Sequence, residues 1–289
     1  MQKSSRKKRL VRPQVQKKPG LEYKMHPEPV YNTAFAGSGR LHDKKCIVTG
    51  GDSGIGRAVA IHFAKEGADV AIIYLREEEA DAALTASVIE NEYRKKCLLV
   101  PADLSKETQC ERAIKKIIKQ FKNIDVVVNN AGTHYREKEI ADITDKHLMQ
   151  TFAVNIFSMF WIVKSALPFM KSGANIINTA SVVAYRGSAQ LLDYSATKGA
   201  VVSFTRSLSA NLMHKGIRVN AVAPGPVWTP LIVSSFKADK VASFGSDSPM
   251  GRPAQPAELA PAYVFLASEE ASYISGQTIH VNGGEVING

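Results

Sequence analysis

The stretch Cys46-Ile47-Val48-Thr49-Gly50-Gly51-Asp52-Ser53-Gly54-Ile55-Gly56, with the helix-like Arg57 to Glu66 behind it, decides the fold. A short apolar run reads as a buried strand, and the glycines after it permit a tight turn with close backbone approach. The helix that follows offers unpaired N–H groups and a partial positive charge at its N-terminus, which suits a pyrophosphate. A glycine-rich turn without a ligand is the bland alternative. The strand-turn-helix setting favours a dinucleotide site formed by Gly50, Asp52, Ser53, Gly54, Ile55 and Gly56.

Outward from this turn, short apolar runs alternate with longer amphipathic stretches. Strands are predicted at Cys46 to Thr49, Asp69 to Tyr74, Cys97 to Pro101, Ile124 to Val128, Asn175 to Thr179, Arg218 to Ala223 and Thr278 to Val281. The segments between them are long enough for helices, with apolar positions at helical spacing such as Ala113, Ile114, Ile117, Ile118 and Phe121. Repeated strand-helix-strand units with nearly continuous apolar strands predict an α/β fold, a Rossmann-type doubly wound parallel sheet of about seven strands in a single domain. That domain is placed at 41–289, behind a polar N-terminal extension at 1–40.

The 289 residues carry 37 Lys plus Arg against 27 Asp plus Glu, a formal charge of +10 that resembles a nucleic-acid binder. Eight of the basic residues (Lys3, Arg6, Lys7, Lys8, Arg9, Arg12, Lys17 and Lys18) lie in the first 18 positions with no acid among them, so the rest is near neutral at +2. The excess belongs to the tail. Residues 1–40 are predicted to form a disordered, solubilising tip followed by a surface arm that docks through Leu21, Tyr23, Met25, Tyr31 and Phe35. Deleting Met1 to Lys18 is then expected to leave turnover and assembly unchanged, and no nucleic-acid partner is expected. No run of about 18 uncharged apolar residues appears, and the tail lacks the apolar region of a secretory signal, so no membrane partner is expected. The cysteines Cys46, Cys97 and Cys110 have no metal-like spacing, and a reducing cytoplasm is the simple reading.

The end of the second strand, Ile73-Tyr74-Leu75-Arg76-Glu77, bears on cofactor choice. An acid here would hold the ribose of NAD, and a base would accept the 2′-phosphate of NADP. Tyr74 stands where the acid is expected and Arg76 is near enough to meet a phosphate, so the reading leans to NADP and leaves NAD open.

Further along, Thr179-Ala180-Ser181 ends a predicted strand and Tyr194-Ser195-Ala196-Thr197-Lys198 opens a helix. Residues four apart share a helical face, so Tyr194 and Lys198 can point into one site. A nearby cation favours tyrosinate and lowers the phenol pKa, as a general acid/base for carbonyl reduction or alcohol oxidation requires. Ser181 is placed to bond the same substrate oxygen. An exposed Tyr-Lys pair is the accidental alternative, made improbable by the glycine turn upstream.

These motifs together resemble the short-chain dehydrogenase/reductase family over roughly Leu41 to Gly289. The resemblance rests on the Thr49 to Gly56 turn, Asp103-Leu104, Asn129-Asn130-Ala131-Gly132, Asn155, Ser181, Tyr194 with Lys198, Pro224-Gly225, Pro249 to Glu258 and Val281-Asn282-Gly283-Gly284. The wording of the glycine turn and the long polar extension look most like the bacterial general-stress-protein type of oxidoreductase. The resemblance implies an NAD(P)-dependent enzyme in which Tyr194 is the proton donor or acceptor, Lys198 lowers its pKa and binds the nicotinamide ribose, and Ser181 holds the substrate oxygen. It implies further that Asn155 holds a water linked to Lys198 and that Asp103 and Leu104 flank the adenine. Asn130, Ala131 and Gly132 would line the groove, and Pro224, Gly225, Val227 and Thr229 the nicotinamide end. It also implies a homotetramer, and the Phe152 to Met170 helix, apolar on more than one face, is consistent with one.

A substrate lid is expected between Pro224 and Pro256, where Trp228, Leu231, Ile232, Phe236, Phe244 and Met250 equally suit core or subunit contacts. The expected substrate is a small alcohol, aldehyde, ketone or sugar. His134, after the Asn129 to Gly132 turn, is read as a solvated loop residue in preference to one facing the substrate, and neither His147 nor His214 has a partner at metal spacing, so no catalytic metal is expected. Two rivals stand beside this reading: a catalytically silent dinucleotide-binding sensor whose basic tail contacts nucleic acid, and an acyl-thioester ketoreductase.

Overall fold

The computed structural model describes residues 8–287. Seven strands form one parallel sheet in the order β3-β2-β1-β4-β5-β6-β7. They are β1 (Lys45–Thr49), β2 (Asp69–Tyr74), β3 (Cys97–Pro101), β4 (Ile124–Asn129), β5 (Met170–Thr179), β6 (Arg218–Pro224) and β7 (Thr278–Val281). The predicted strands are all present. The largest difference is β5, which begins five residues earlier than expected, at Met170, with a register irregularity between Ile124 and Val126 of β4. Its first turn-like residues, Lys171-Ser172-Gly173, are exposed and carry no apolar signal.

The strands are apolar throughout because both faces are covered. One core joins Val48, Val70 and Ile72 to α1 (Gly54–Lys65), α2 (Glu79–Tyr93) and the Pro256–Ala267 helix. The other packs Ile47, Ile73 and Val127 against α3 (Glu107–Phe121) and the helical run Asp145–Phe169. By length and composition Asp145–Phe169 suffices to cross a membrane. Here Met159, Ile162 and Val163 are buried against the domain, while Phe157 and Phe160 stay exposed.

The N-terminal extension follows the length of α1. Glu22 is buried at the helix N-terminus, where its carboxylate accepts the Gly54 N–H at 2.5 Å and the Arg57 guanidinium at 2.6 Å. Arg57 also stacks over Tyr31 and reaches Asp81 at 3.0 Å. At the helix C-terminus Glu66 accepts the Ser38 N–H and the Arg40 guanidinium, so the arm is pinned at both ends of α1. Met25 is fully buried beside Trp228, whereas Phe35 is exposed.

The expected detached tip does not extend to Lys18. The Leu10 amide bonds Ala242, the Gln16 amide bonds Val233, and the Lys18 ammonium bonds the His134 carbonyl and the Ser235 hydroxyl. Composition suggested solvation because the segment is basic, but the backbone of Leu10 and Gln16 and the side chain of Lys18 supply contacts. Met1 to Lys7 lie outside the described residues.

Candidate active site

A cleft of about 900 Å³ opens at the carboxyl ends of the strands, where the strand order reverses between β1 and β4. Of the predicted catalytic and cofactor-binding residues, all but Gly56, Arg76 and Asn155 line it.

The glycine turn forms the floor at one end. Gly54 has φ +53°, a left-handed conformation that favours glycine, and a Cβ on Gly56 would lie 1.8 Å from the Gly50 carbonyl oxygen. Gly56 therefore closes the turn from behind. The turn is tied to β4 by Thr49, whose hydroxyl accepts the Asn130 and Ala131 amides, and by the Asn130 amide group, which donates to the Thr49 and Gly50 carbonyls. Asp52 is 1% exposed and one of its carboxylate oxygens has no partner.

Beyond β2 the wall consists of Tyr74, Leu75 and Glu78, with Asp103 and Leu104 opposite. Arg76 is exposed in a short turn and stays off the wall. Tyr74 donates to Glu79 at 2.8 Å. Burial, with Asp52 nearby, pushes Glu78 up to about 9, and burial raises Asp52 to about 6.

At the other end Ser181, at the exit of β5, meets Tyr194 and Lys198 from the Leu192–Leu212 helix. That helix is set by Asp193, which accepts the Tyr194 amide and the Thr151 hydroxyl. Burial pushes the Tyr194 phenol up to about 12, a hydrogen bond with Ser181 opposing it. Desolvation lowers Lys198 to about 8, and its ammonium donates to the Thr179 carbonyl at 2.6 Å. The expected lowering of the phenol by Lys198 is thus outweighed by burial, with the ammonium 5.5 Å from the ring centre and bonded elsewhere.

Asn155 sits behind the wall in a π-helical turn, Ala153–Phe157, a distortion frequent at functional sites. Its amide brackets Thr133, accepting that residue's N–H and donating to its carbonyl, and donates to Thr197. A Cβ built on Gly132 would lie 3.6 Å from Asn155 Oδ1 and 3.9 Å from Lys198 Nζ, so the two groups flank one point.

Several residues depart from the sequence reading. His134 is 3% exposed, with its ring edge on Tyr194 at 5.1 Å, rather than solvated. His147 stacks on Tyr135 and pairs with Glu137. Among the lid residues, Leu231, Ile232, Phe236 and Phe244 face the cleft. Trp228 is core, donating to the Pro27 carbonyl, and Met250 is exposed. Sequence reasoning missed Lys18, Glu22 and Arg57. The signal available for the last two was an acid in a mostly basic extension and an arginine in the first turn of an apolar helix. Among the described residues no group of three or more His, Cys, Asp or Glu converges.

An open α/β sheet with a glycine turn and a Ser-Tyr-Lys cluster in one cleft defines a dinucleotide-dependent oxidoreductase. A family model described as enoyl-(acyl carrier protein) reductase matches residues 50–285. The chain belongs to the short-chain dehydrogenase/reductase family. It is 52% identical to an uncharacterized oxidoreductase, YhxC, of Bacillus subtilis over 99% of this chain and 100% of that one. General stress protein 39 of the same organism is 48% identical, over 94% of each chain. Glucose and ribitol dehydrogenase of Daucus carota is 47% identical, over 96% of this chain and 97% of the relative. Among solved structures, L-sorbose reductase from Gluconobacter frateurii, complexed with NADPH and L-sorbose, matches with a TM-score of 0.78 at 28% identity, covering 84% of this chain and 96% of that one. The 3-ketoacyl-(acyl-carrier-protein) reductase from Brucella melitensis, complexed with NADH, matches at 0.75 and 32%, over 84% and 98%. The protein is an NAD(P)-dependent oxidoreductase that interconverts alcohol and carbonyl groups. The cleft fits such a cofactor: the glycine turn brings backbone to its floor, and the unpaired Asp52 oxygen lies at the end where a ribose would need an acceptor.

Proposed function

We propose that Tyr194 is the general acid/base of this enzyme, acting on small aldehydes, ketones and the corresponding alcohols or sugars. The observation that carries the reading is the meeting of Ser181, Tyr194 and Lys198 at one end of the cleft whose other end is the glycine turn. Bound NAD(P) supplies or accepts the hydride. The Ser181 hydroxyl holds the substrate oxygen, and Tyr194, protonated at neutral pH, donates its proton to that oxygen during reduction and takes it back during oxidation. Lys198, cationic below about pH 8, stabilises the tyrosinate left behind and holds the nicotinamide ribose. Asn155 orients a water on the Lys198 side and so links the ammonium to solvent. Asn130, Ala131 and Gly132 line the cofactor groove, with Asp103 and Leu104 at the adenine and Pro224, Gly225, Val227 and Thr229 at the nicotinamide.

Asp52 and Glu78, rather than Arg76, face the adenosine end, and carboxyl groups there receive a ribose hydroxyl more readily than a phosphate. NAD is the preferred cofactor on this reading. Steady-state assays with 3-pentanone, propanal and ribitol and either cofactor test both points. Turnover of at least one substrate is expected, with kcat/KM higher with NADH than with NADPH. No turnover of any would contradict the catalytic reading, and a preference for NADPH would overturn the cofactor argument alone.

The chain is further proposed to assemble as a homotetramer. Phe160 packs on Phe204 with tilted rings 4.3 Å apart across two helices, and with Phe157 it leaves an aromatic face in solvent, as a subunit contact requires. Three free, buried thiols agree with a cytoplasmic location.

A further inference from the structure

The part of the cleft beside Tyr194 is not built by the catalytic domain alone. Lys18, Pro19 and Gly20 of the N-terminal arm line it, held by Glu22 on the glycine turn, by Met25 against Trp228 and by the Gln16 amide on Val233. Lys18 Nζ lies 2.6 Å from the His134 carbonyl oxygen, 2.8 Å from Ser235 Oγ and 4.8 Å from the centre of the Tyr135 ring. The His134 ring stands between Tyr194 and Phe236, at 5.1 and 5.6 Å. Both of its nitrogens are buried without a partner. Burial, aided by the charges of Lys18 and Lys198, pushes this imidazole down to about 3, so it is neutral at working pH.

A neutral imidazole carries one donor and one acceptor. A buried polar group left unpaired in a protein calls for an explanation, and a substrate is the explanation available on a cleft wall next to the reacting position. A hydroxyl group, itself donor and acceptor, matches the ring. An anion does not: it offers no proton to the acceptor nitrogen.

We propose that the N-terminal arm completes the substrate pocket, and that Lys18 and His134 form a polar subsite for hydroxyl groups flanking the reacting carbon. The favoured substrates are then hydroxylated carbonyl compounds and polyols rather than unsubstituted ketones. This rests on the reading of Tyr194 as the acid/base.

The test compares 1,3-dihydroxyacetone with 3-pentanone, chains of equal length that differ in terminal hydroxyl against methyl groups. The wild-type protein is expected to favour dihydroxyacetone at least tenfold in kcat/KM. Lys18→Met, which keeps the aliphatic stem, and His134→Phe should each shrink that ratio at least fivefold, chiefly through KM for dihydroxyacetone, with the Kd for NADH within threefold of wild type. A wild-type ratio near one, a ratio unmoved by Lys18→Met, or equal losses on both ketones overturns the proposal. Faster turnover of dihydroxyacetone phosphate than of dihydroxyacetone also overturns it, in favour of an anion site. Tyr194→Phe separates this from the underlying reading: if it keeps turnover of both ketones, the acid/base assignment fails whatever the ratio.

Discussion

Tyr194 and Lys198 are one helical turn apart, and each titrates in the direction that burial imposes: the phenol rises to about 12 and the ammonium falls to about 8. The pair is therefore a protonated acid beside a cation at neutral pH. As pH rises through about 8 the cation is lost while the phenol keeps its proton. Carbonyl reduction should hold level below pH 8 and decline above it, as a pH profile of kcat/KM would record; a rise above pH 8 would contradict the assigned order. Sequence gave the residues of this cluster, since Tyr-x-x-x-Lys spacing and a strand-end serine are legible without coordinates. It gave the wrong environment for Arg76 and His134. Which way a side chain leaves a loop depends on packing from elsewhere in the chain: a turn after β2 points Arg76 outward, and lid residue Phe236 closes over His134.

Among the elements, α1 is held in a way no helical periodicity reveals. Its N-terminus receives Glu22 from the arm, and Arg57, 1% exposed, joins Glu22, Asp81, Thr85 and the Asp52 carbonyl. Glu22→Ala would leave this guanidinium without one buried partner, which costs about 3–5 kcal/mol when such a pair is broken. The variant is expected to unfold at markedly lower urea concentration and to bind NADH more weakly, because the glycine turn loses its brace. Unchanged stability and affinity would mean that the arm rests passively on α1. The strands and long helices were legible because apolar runs and amphipathic stretches alternate so regularly. The arm was not, since its contacts are backbone hydrogen bonds and a few scattered side chains, Lys18, Glu22, Met25 and Arg40, within a polar segment.

For the molecule as a whole, the net charge of +10 proved a poor guide to what the tail does. Among the described tail residues, Arg9 pairs with Asp239 and Lys18 reaches the cleft, so part of the basic excess is spent on the chain's own lid. Removing residues through Lys18 is no longer expected to be silent. The other whole-molecule expectation is assembly through the exposed face of Phe157 and Phe160. Light scattering should give a tetramer, and Phe160→Glu should shift it to smaller species, because a charge buried in that contact is costly. A wild-type monomer would remove the proposed interface.

The central claim, that Tyr194 moves the proton, is tested most directly by Tyr194→Phe, with turnover and NADH binding measured on the same preparation. Loss of general acid/base catalysis is worth about 10²–10⁴ in rate. The expected result is a fall in kcat/KM of that order with the Kd for NADH within threefold of wild type. Full turnover by the variant would contradict the account.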